Sequence, residues 1–251
     1  MCGDWRRLNG HDDSCWSCMK TIGILQPSFL PWIGYFEQIL KSDIFVLYDD
    51  VQFEKNSWRN RNRIKTSNGM QWLSVPVLTA GKGAQNINQI MIDVSSQWRR
   101  KHVNAITLNY SRAPYFKLYS EELFSILMDA KREKLCDLNV ALILWLCAKM
   151  GITTQVVSSS TLGISGAGVE RLLCIIKHLE GDVFYEGSAG RDYINESDFS
   201  EAGIELKYQD YVHPEYPQLY GGFVPYLSAI DLLFNCGTKS IDVLISNSGK
   251  D

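Results

Sequence analysis

The densest concentration of chemically capable side chains is Asp49-Asp50-Val51-Gln52-Phe53-Glu54-Lys55-Asn56-Ser57-Trp58-Arg59-Asn60-Arg61-Asn62-Arg63-Ile64-Lys65. From Glu54 to Lys65 five cations face one anion, a local charge of +4 in a chain whose formal charge is −3. Guanidinium forks match phosphate and carboxylate oxygens two at a time, and the interleaved asparagines can add neutral hydrogen bonds. The pattern predicts a small anion site, with Gln52, Lys55, Trp58, Arg59, Asn60, Arg61, Arg63 and Lys65 as its binding residues. A solvated charged loop or edge strand would show the same charge run, but Trp58 and the near-alternate arginines favour a packed, directed surface. On this reading, replacing Arg61 by alanine abolishes nucleotide affinity without disturbing the fold. Asp49 and Asp50 precede the run, where a carboxylate could act as general base for an amine, hold a metal, or pair with the arginines as scaffolding.

A second stretch is Gln26-Pro27-Ser28-Phe29-Leu30-Pro31-Trp32-Ile33-Gly34-Tyr35-Phe36. It lies between an apolar strand, Thr21–Leu25, and a short helix. Such loops hold phosphates at the helix N-terminus in many α/β folds, which makes Gln26, Trp32 and Tyr35 candidates. The layout is faintly similar to class I nucleotidyltransferases, which carry His-x-Gly-His there. Trp32-Ile33-Gly34-Tyr35 has neither histidine, which weighs against adenylyl transfer. Gly187-Ser188-Ala189-Gly190-Arg191-Asp192-Tyr193 also follows a strand and offers a second wall through Ser188 and Tyr193. Gly163 to Gly168 has neither G-x-G-x-x-G nor P-loop spacing and reads as a plain loop. His213, in the aromatic loop Tyr211 to Gln218, is either a general base or a structural loop residue. Cys15-x-x-Cys18 lacks a second ligand pair at zinc spacing, so no built-in metal or organic cofactor is indicated.

Elements that must hold these groups can be read from periodicity. Strands are expected at Thr21–Leu25, Asp43–Tyr48, Trp72–Val77, Ile87–Asp93, Thr154–Ser158, Asp182–Tyr185 and Ile204–Tyr208. Helices are expected at Ile33–Lys41, Trp98–Tyr110, after a Ser120 cap, at Leu135–Met150 ending on Gly151, at Gly168–Leu179, and at Leu227–Phe234. Thr154 to Tyr185 reads as a right-handed βαβ unit with a parallel pair. Strands and helices alternating at both ends around a helical middle imply an α/β fold, a Rossmann-like, mostly parallel sheet with a helical insertion in the middle of the chain.

Bulk properties set the class. A chain of 251 residues, 45% hydrophobic and 21% charged, has ordinary globular composition. A net charge of −3 offers no global attraction for nucleic acid, so the expected partner is an anionic small molecule. The odd set of seven cysteines implies a reducing compartment. The longest apolar run, Val140 to Ala148, is about half of what a bilayer crossing needs. With no apolar leader segment at the start, these features predict no membrane span and a cytoplasmic location. Residues 1–18 are polar and aperiodic and read as an extension, leaving one domain over 19–245.

Taken together, Gln26-Pro27, Pro31-Trp32-x-Gly34-Tyr35-Phe36, Asp43, the Asp49–Lys65 block, Trp72-Leu73-x-Val75-Pro76-Val77, Tyr185-x-Gly187-Ser188 with Tyr193, Tyr216-Pro217-Gln218, Phe223-x-Pro225 and Leu227-Ser228-x-x-Asp231-Leu232-Leu233-Phe234-Asn235-x-Gly237 resemble the WbqC-like protein family. The resemblance covers nearly all of residues 19–240. It implies a part in bacterial O-antigen and related surface-polysaccharide synthesis, with transfer of glycine or another acyl group to a sugar. An amino sugar on a nucleotide carrier would present a diphosphate to Arg59, Arg61, Arg63 and Lys65, while Asp49, Asp50 or His213 takes the amine proton. An activated acyl donor is then required, and other enzymes of the pathway are natural partners. Two alternatives stay open: a non-catalytic nucleotide- or partner-binding protein, and a divergent nucleotidyltransferase or ligase.

Overall fold

Ile44-Phe45-Val46-Leu47 has no polar position, which suits a strand covered on both faces. In the computed structural model, which describes residues 19–192 and 194–246, this run is β2 (Ile44–Leu47), flanked by β1 (Thr21–Leu25) and β5 (Gln155–Ser158). β6 (Val183–Glu186) pairs with the other side of β1 and β7 (Glu205–Tyr208) with β6, all parallel. The order β5-β2-β1-β6-β7 is the 3-2-1-4-5 arrangement when only these five strands are counted, so the fold is α/β and Rossmann-like. The order reverses between β1 and β6. There the connections leave in opposite directions and a crevice opens beyond the strand ends.

The strand period of two sorts β2 between two apolar layers. Phe45 and Leu47 enter a large core with α1 (Ile33–Leu40), α2 (Trp98–Tyr110), α3 (Phe116–Met128), α4 (Leu135–Met150), α7 (Ala229–Cys236) and α8 (Ser240–Ile245). Ile44 and Val46 join Ile22, Ile24 and Phe184 under α5 (Gly168–His178) and α6 (Glu196–Glu201). Between β2 and β5 the chain forms an antiparallel hairpin, β3 (Arg61–Thr66) and β4 (Gly69–Ser74), and then α2, α3 and α4. Gly151 closes α4 at φ 75°, a left-handed position that suits glycine. Among the described residues no helix is long and apolar enough to cross a membrane.

Four local expectations differ from the structure. The basic stretch itself makes β3, and β4 ends at Ser74, before Pro76, which cannot donate to a ladder. Ile87–Asp93 is a single turn of 3-10 helix followed by isolated bridges, and its buried residues fall at 87, 90 and 92 rather than alternating strictly. α3 begins at Phe116, a turn before Ser120, because the Tyr115 N–H donates to the Phe234 carbonyl (3.0 Å) and starts it there. β5 and β6 are parallel but not neighbours, since β2 and β1 lie between them. A crossover sets direction and hand, not adjacency.

Candidate functional site at the carboxyl end of the sheet

Two recesses flank the carboxyl end of β1, where the strand order reverses. The first, about 500 Å³ and here termed the aromatic recess, is mainly apolar, and its wall includes Trp32, Tyr35, Trp58 and Tyr226 together with Arg63 and Gln209. The second, about 730 Å³, is the more polar of the two and is bordered by Tyr48, Asp50, Gln52, Arg171, Glu186 and the backbone leading into α5. Leu25 and Arg59 belong to both. The shared wall is therefore the last residue of β1 and one guanidinium.

Arg59 is held from β1's own exit loop. Its Nε donates to the Gln26 side-chain oxygen and its Nη1 to Ser28 Oγ (2.7 Å). Asn139, buried on α4, donates from Nδ2 to the carbonyls of Arg59 (2.8 Å) and Pro27 (3.1 Å), tying the basic stretch to the exit loop. Asn62 donates to the Leu30 carbonyl (2.7 Å), and Leu30 sits at φ 43°, a costly conformation for a branched residue. Ser228 N donates to the Arg63 carbonyl (2.9 Å) and bridges to Trp32. Asn139→Leu removes both tethers and leaves two carbonyls unpaired, so it is expected to cost about 2–4 kcal/mol of stability. Urea unfolding of the variant measures this.

The aromatic recess depends on one glycine. A Cβ on Gly34 would lie 2.1–2.6 Å from the Trp32 indole, so only glycine lets that ring lie across the start of α1. Behind it, Trp32 packs on His213 (6.1 Å, 19°), Tyr226 (5.3 Å) and Tyr211 (5.9 Å). Gln209 closes the inner end, donating to the Gly34 carbonyl (2.8 Å) and to buried Glu37 (2.6 Å), which also accepts from Tyr185 (3.0 Å). Arg63 donates from Nη2 to the Tyr226 carbonyl (3.3 Å), while its buried Nε has no partner among the described residues.

In the polar recess, Asp50 pairs with Arg171 and accepts from Ser159. Partial burial pushes the Asp50 carboxyl up, but Arg171 and Ser159 more than offset it and hold it below its ordinary range. Arg171 also lies over the Tyr48 ring (5.0 Å).

Of the residues singled out in the sequence, Trp32, Tyr35, Trp58, Arg59, Arg63 and Ser188 border the aromatic recess, and Gln26, Asp50, Gln52 and Arg59 the polar one. The others lie elsewhere. Asp49 is buried, accepting from Ser160 N (2.9 Å), Ser160 Oγ (2.7 Å) and Ser159 Oγ (3.1 Å), a clasp between β2 and the turn after β5. Asn60 points inward and donates to the Val75 carbonyl (3.0 Å). Arg61 lies over Trp72 (4.5 Å), outside both recesses, and Lys55 is exposed. Lys65 is buried and donates to Gln218 (3.1 Å) and the Gly221 carbonyl (2.6 Å), fastening the C-terminal loop. His213 borders neither recess. Its Nδ1 donates to the Pro214 carbonyl (2.9 Å), and burial pushes its pKa down. Tyr193, like Cys15 and Cys18, lies outside the described residues.

Arg171, Glu186, Gln209 and Tyr226 were not singled out in the sequence. Each is one polar or aromatic residue in an ordinary context, brought in by tertiary contact from far along the chain. Position at the carboxyl end of β6, or directly after β7, was the one available signal, for Glu186 and Gln209 respectively.

The sheet order and the twin recesses at its reversal define an α/β protein with a crevice of the doubly wound type. The model of the WbqC-like protein family matches residues 26–243, and the chain belongs to that family. A similar protein is an uncharacterized protein of Mycobacterium tuberculosis, 37% identical over 227 residues, which make up 90% of this chain and 98% of that one. No solved structure matches the chain.

Proposed function

We propose that the protein is an acyltransferase of bacterial surface-polysaccharide synthesis that acylates the amino group of a nucleotide-linked amino sugar. The observation that carries the reading is the pair of recesses meeting at Arg59, since a two-substrate transfer needs two adjoining sites with one contact point. The aromatic recess takes the sugar nucleotide. Arg59 and Arg63, which both line it, meet its diphosphate, and Trp32, Trp58 and Tyr226 supply ring faces. The polar recess takes the activated acyl donor.

In the step itself the sugar amine attacks the acyl carbonyl, a C–N bond forms, and the bond to the donor's carrier breaks with its electron pair. The amine proton passes to Asp50, the one of the three candidate bases that borders a recess. Asp50 is ionised at neutral pH, as an acceptor must be. His213 serves by backing Trp32. The test is incubation of the purified protein with UDP- and dTDP-linked amino sugars and acyl or aminoacyl donors, read by mass spectrometry. The expected product is the sugar nucleotide heavier by one acyl group. Binding without product would favour a non-catalytic protein, and ATP-dependent pyrophosphate release would favour nucleotidyl transfer.

A further inference from the structure

Trp58 and Trp72 are each 45% exposed, an unusual place for two large apolar rings side by side. Their ring centroids are 5.4 Å apart. The register of the hairpin sets Arg63 opposite Trp72. The Arg63 guanidinium lies 5.3 Å from the Trp58 ring and 5.5 Å from Trp72, and that of Arg61 lies 4.5 Å from Trp72. Cation–π contact of this kind steadies both partners while leaving guanidinium edges open. Among the described residues Arg61, Arg63 and Lys101 have no carboxylate within ion-pairing distance.

This surface is continuous at both ends. Trp58 and Arg63 enter the aromatic recess. Trp72 and Gln71 border a further recess of about 370 Å³ along the outer edge of β4, which Lys101 of α2 also lines. Ring faces and unpaired cations thus run from one recess to the other across the hairpin.

We propose that this strip binds an anionic oligosaccharide, a chain of pyranose rings bearing carboxylate or phosphate groups, laid over Trp58 and Trp72. A pyranose offers an apolar C–H face that covers an indole, and its acidic substituents meet Arg61, Arg63 and Lys101. The two indoles lie side by side, ring centroids 5.4 Å apart, and form one platform for the apolar face of a ring. The inference does not rest on acyl transfer.

The experiment is titration of the full chain with tetragalacturonate, maltotetraose and a short oligothymidylate, read by calorimetry and tryptophan fluorescence. Tetragalacturonate is expected to bind and quench fluorescence, and maltotetraose to bind about fivefold or more weakly for want of charge. Trp72→Ala is expected to weaken tetragalacturonate about tenfold, and Lys101→Ala about threefold, with unchanged circular dichroism. Affinity for a UDP-linked amino sugar should not change in Lys101→Ala, which lines only the outer recess, and this separates the outcome from failure of the acyltransferase reading. No binding of tetragalacturonate, equal binding by Trp72→Ala, or tighter binding of oligothymidylate would overturn the proposal.

Discussion

Arg59→Met is expected to weaken binding of a UDP-linked amino sugar by about 10- to 100-fold, the value of one charge-assisted hydrogen-bonded contact. Arg59 is the one cation that borders both recesses and is aimed by side chains rather than by solvent. The methionine keeps the aliphatic volume, so the change isolates the guanidinium. Gln26 and Ser28 lose a partner as well, and a stability loss of about 1 kcal/mol should accompany the variant. Arg61→Met is the matched control. Its guanidinium lies over Trp72 beyond both recesses, so the effect expected from the sequence at Arg61 passes to Arg59. Calorimetric titration of both variants decides the matter: equal losses, or none at Arg59, would place the diphosphate elsewhere.

The second large effect concerns stability against pH. Asp231 is fully buried on α7, and burial pushes its carboxyl up to about 6, although Tyr110, Tyr216 and Lys65 pull it back. Tyr110 donates to its Oδ1 (2.7 Å). The unfolded chain titrates the same group at the ordinary value of 3.8. Between about pH 4 and 6 the folded state therefore binds more protons than the unfolded state, and this group's contribution to stability rises as pH falls through that window. Above pH 6 the group is ionised in both states and its whole cost, about 3 kcal/mol, falls on the fold. Asp231→Asn keeps an acceptor for Tyr110 and removes the charge. It is expected to stabilise the protein by about 1–3 kcal/mol at pH 8 relative to pH 4.5, taking wild type as reference at each pH. Urea unfolding at the two values measures this, and a difference independent of pH would show that Asp231 is not the titrating group.

Local chemistry decided much in advance. The β2 segment Ile44–Leu47 follows from its unbroken apolar run, and α2 and α4 from a period of 3.6 with glycine at the end of α4, because burial on one or both faces writes itself into neighbouring residues. The concentration of positive charge between Glu54 and Lys65 was legible for the same local reason. The secondary structure of that stretch was not. Arg61-Asn62-Arg63-Ile64-Lys65 is polar at nearly every position, so strand pairing there comes from Trp72 and Leu73 across the hairpin rather than from an apolar alternation.

Which cations face a ligand is a question of direction, and direction belongs to the tertiary structure. Asn139 on α4, Tyr226 near the C-terminus and Gln26 beyond β1 orient Arg59 and Arg63, while the carbonyls of Gly221 and Gly222 claim Lys65. Asp49 and Asp50 are adjacent and chemically alike, yet the turn after β5 encloses the first and Arg171 draws the second to a recess wall. By itself the sequence determined the five strands of the parallel sheet, most helices, the α/β class and the location of positive charge, since each depends on neighbours within a few residues. Packing between segments distant in the chain decided the sheet order, the two recesses and which charged groups border them, because those outcomes depend on where long-range contacts bring side chains together.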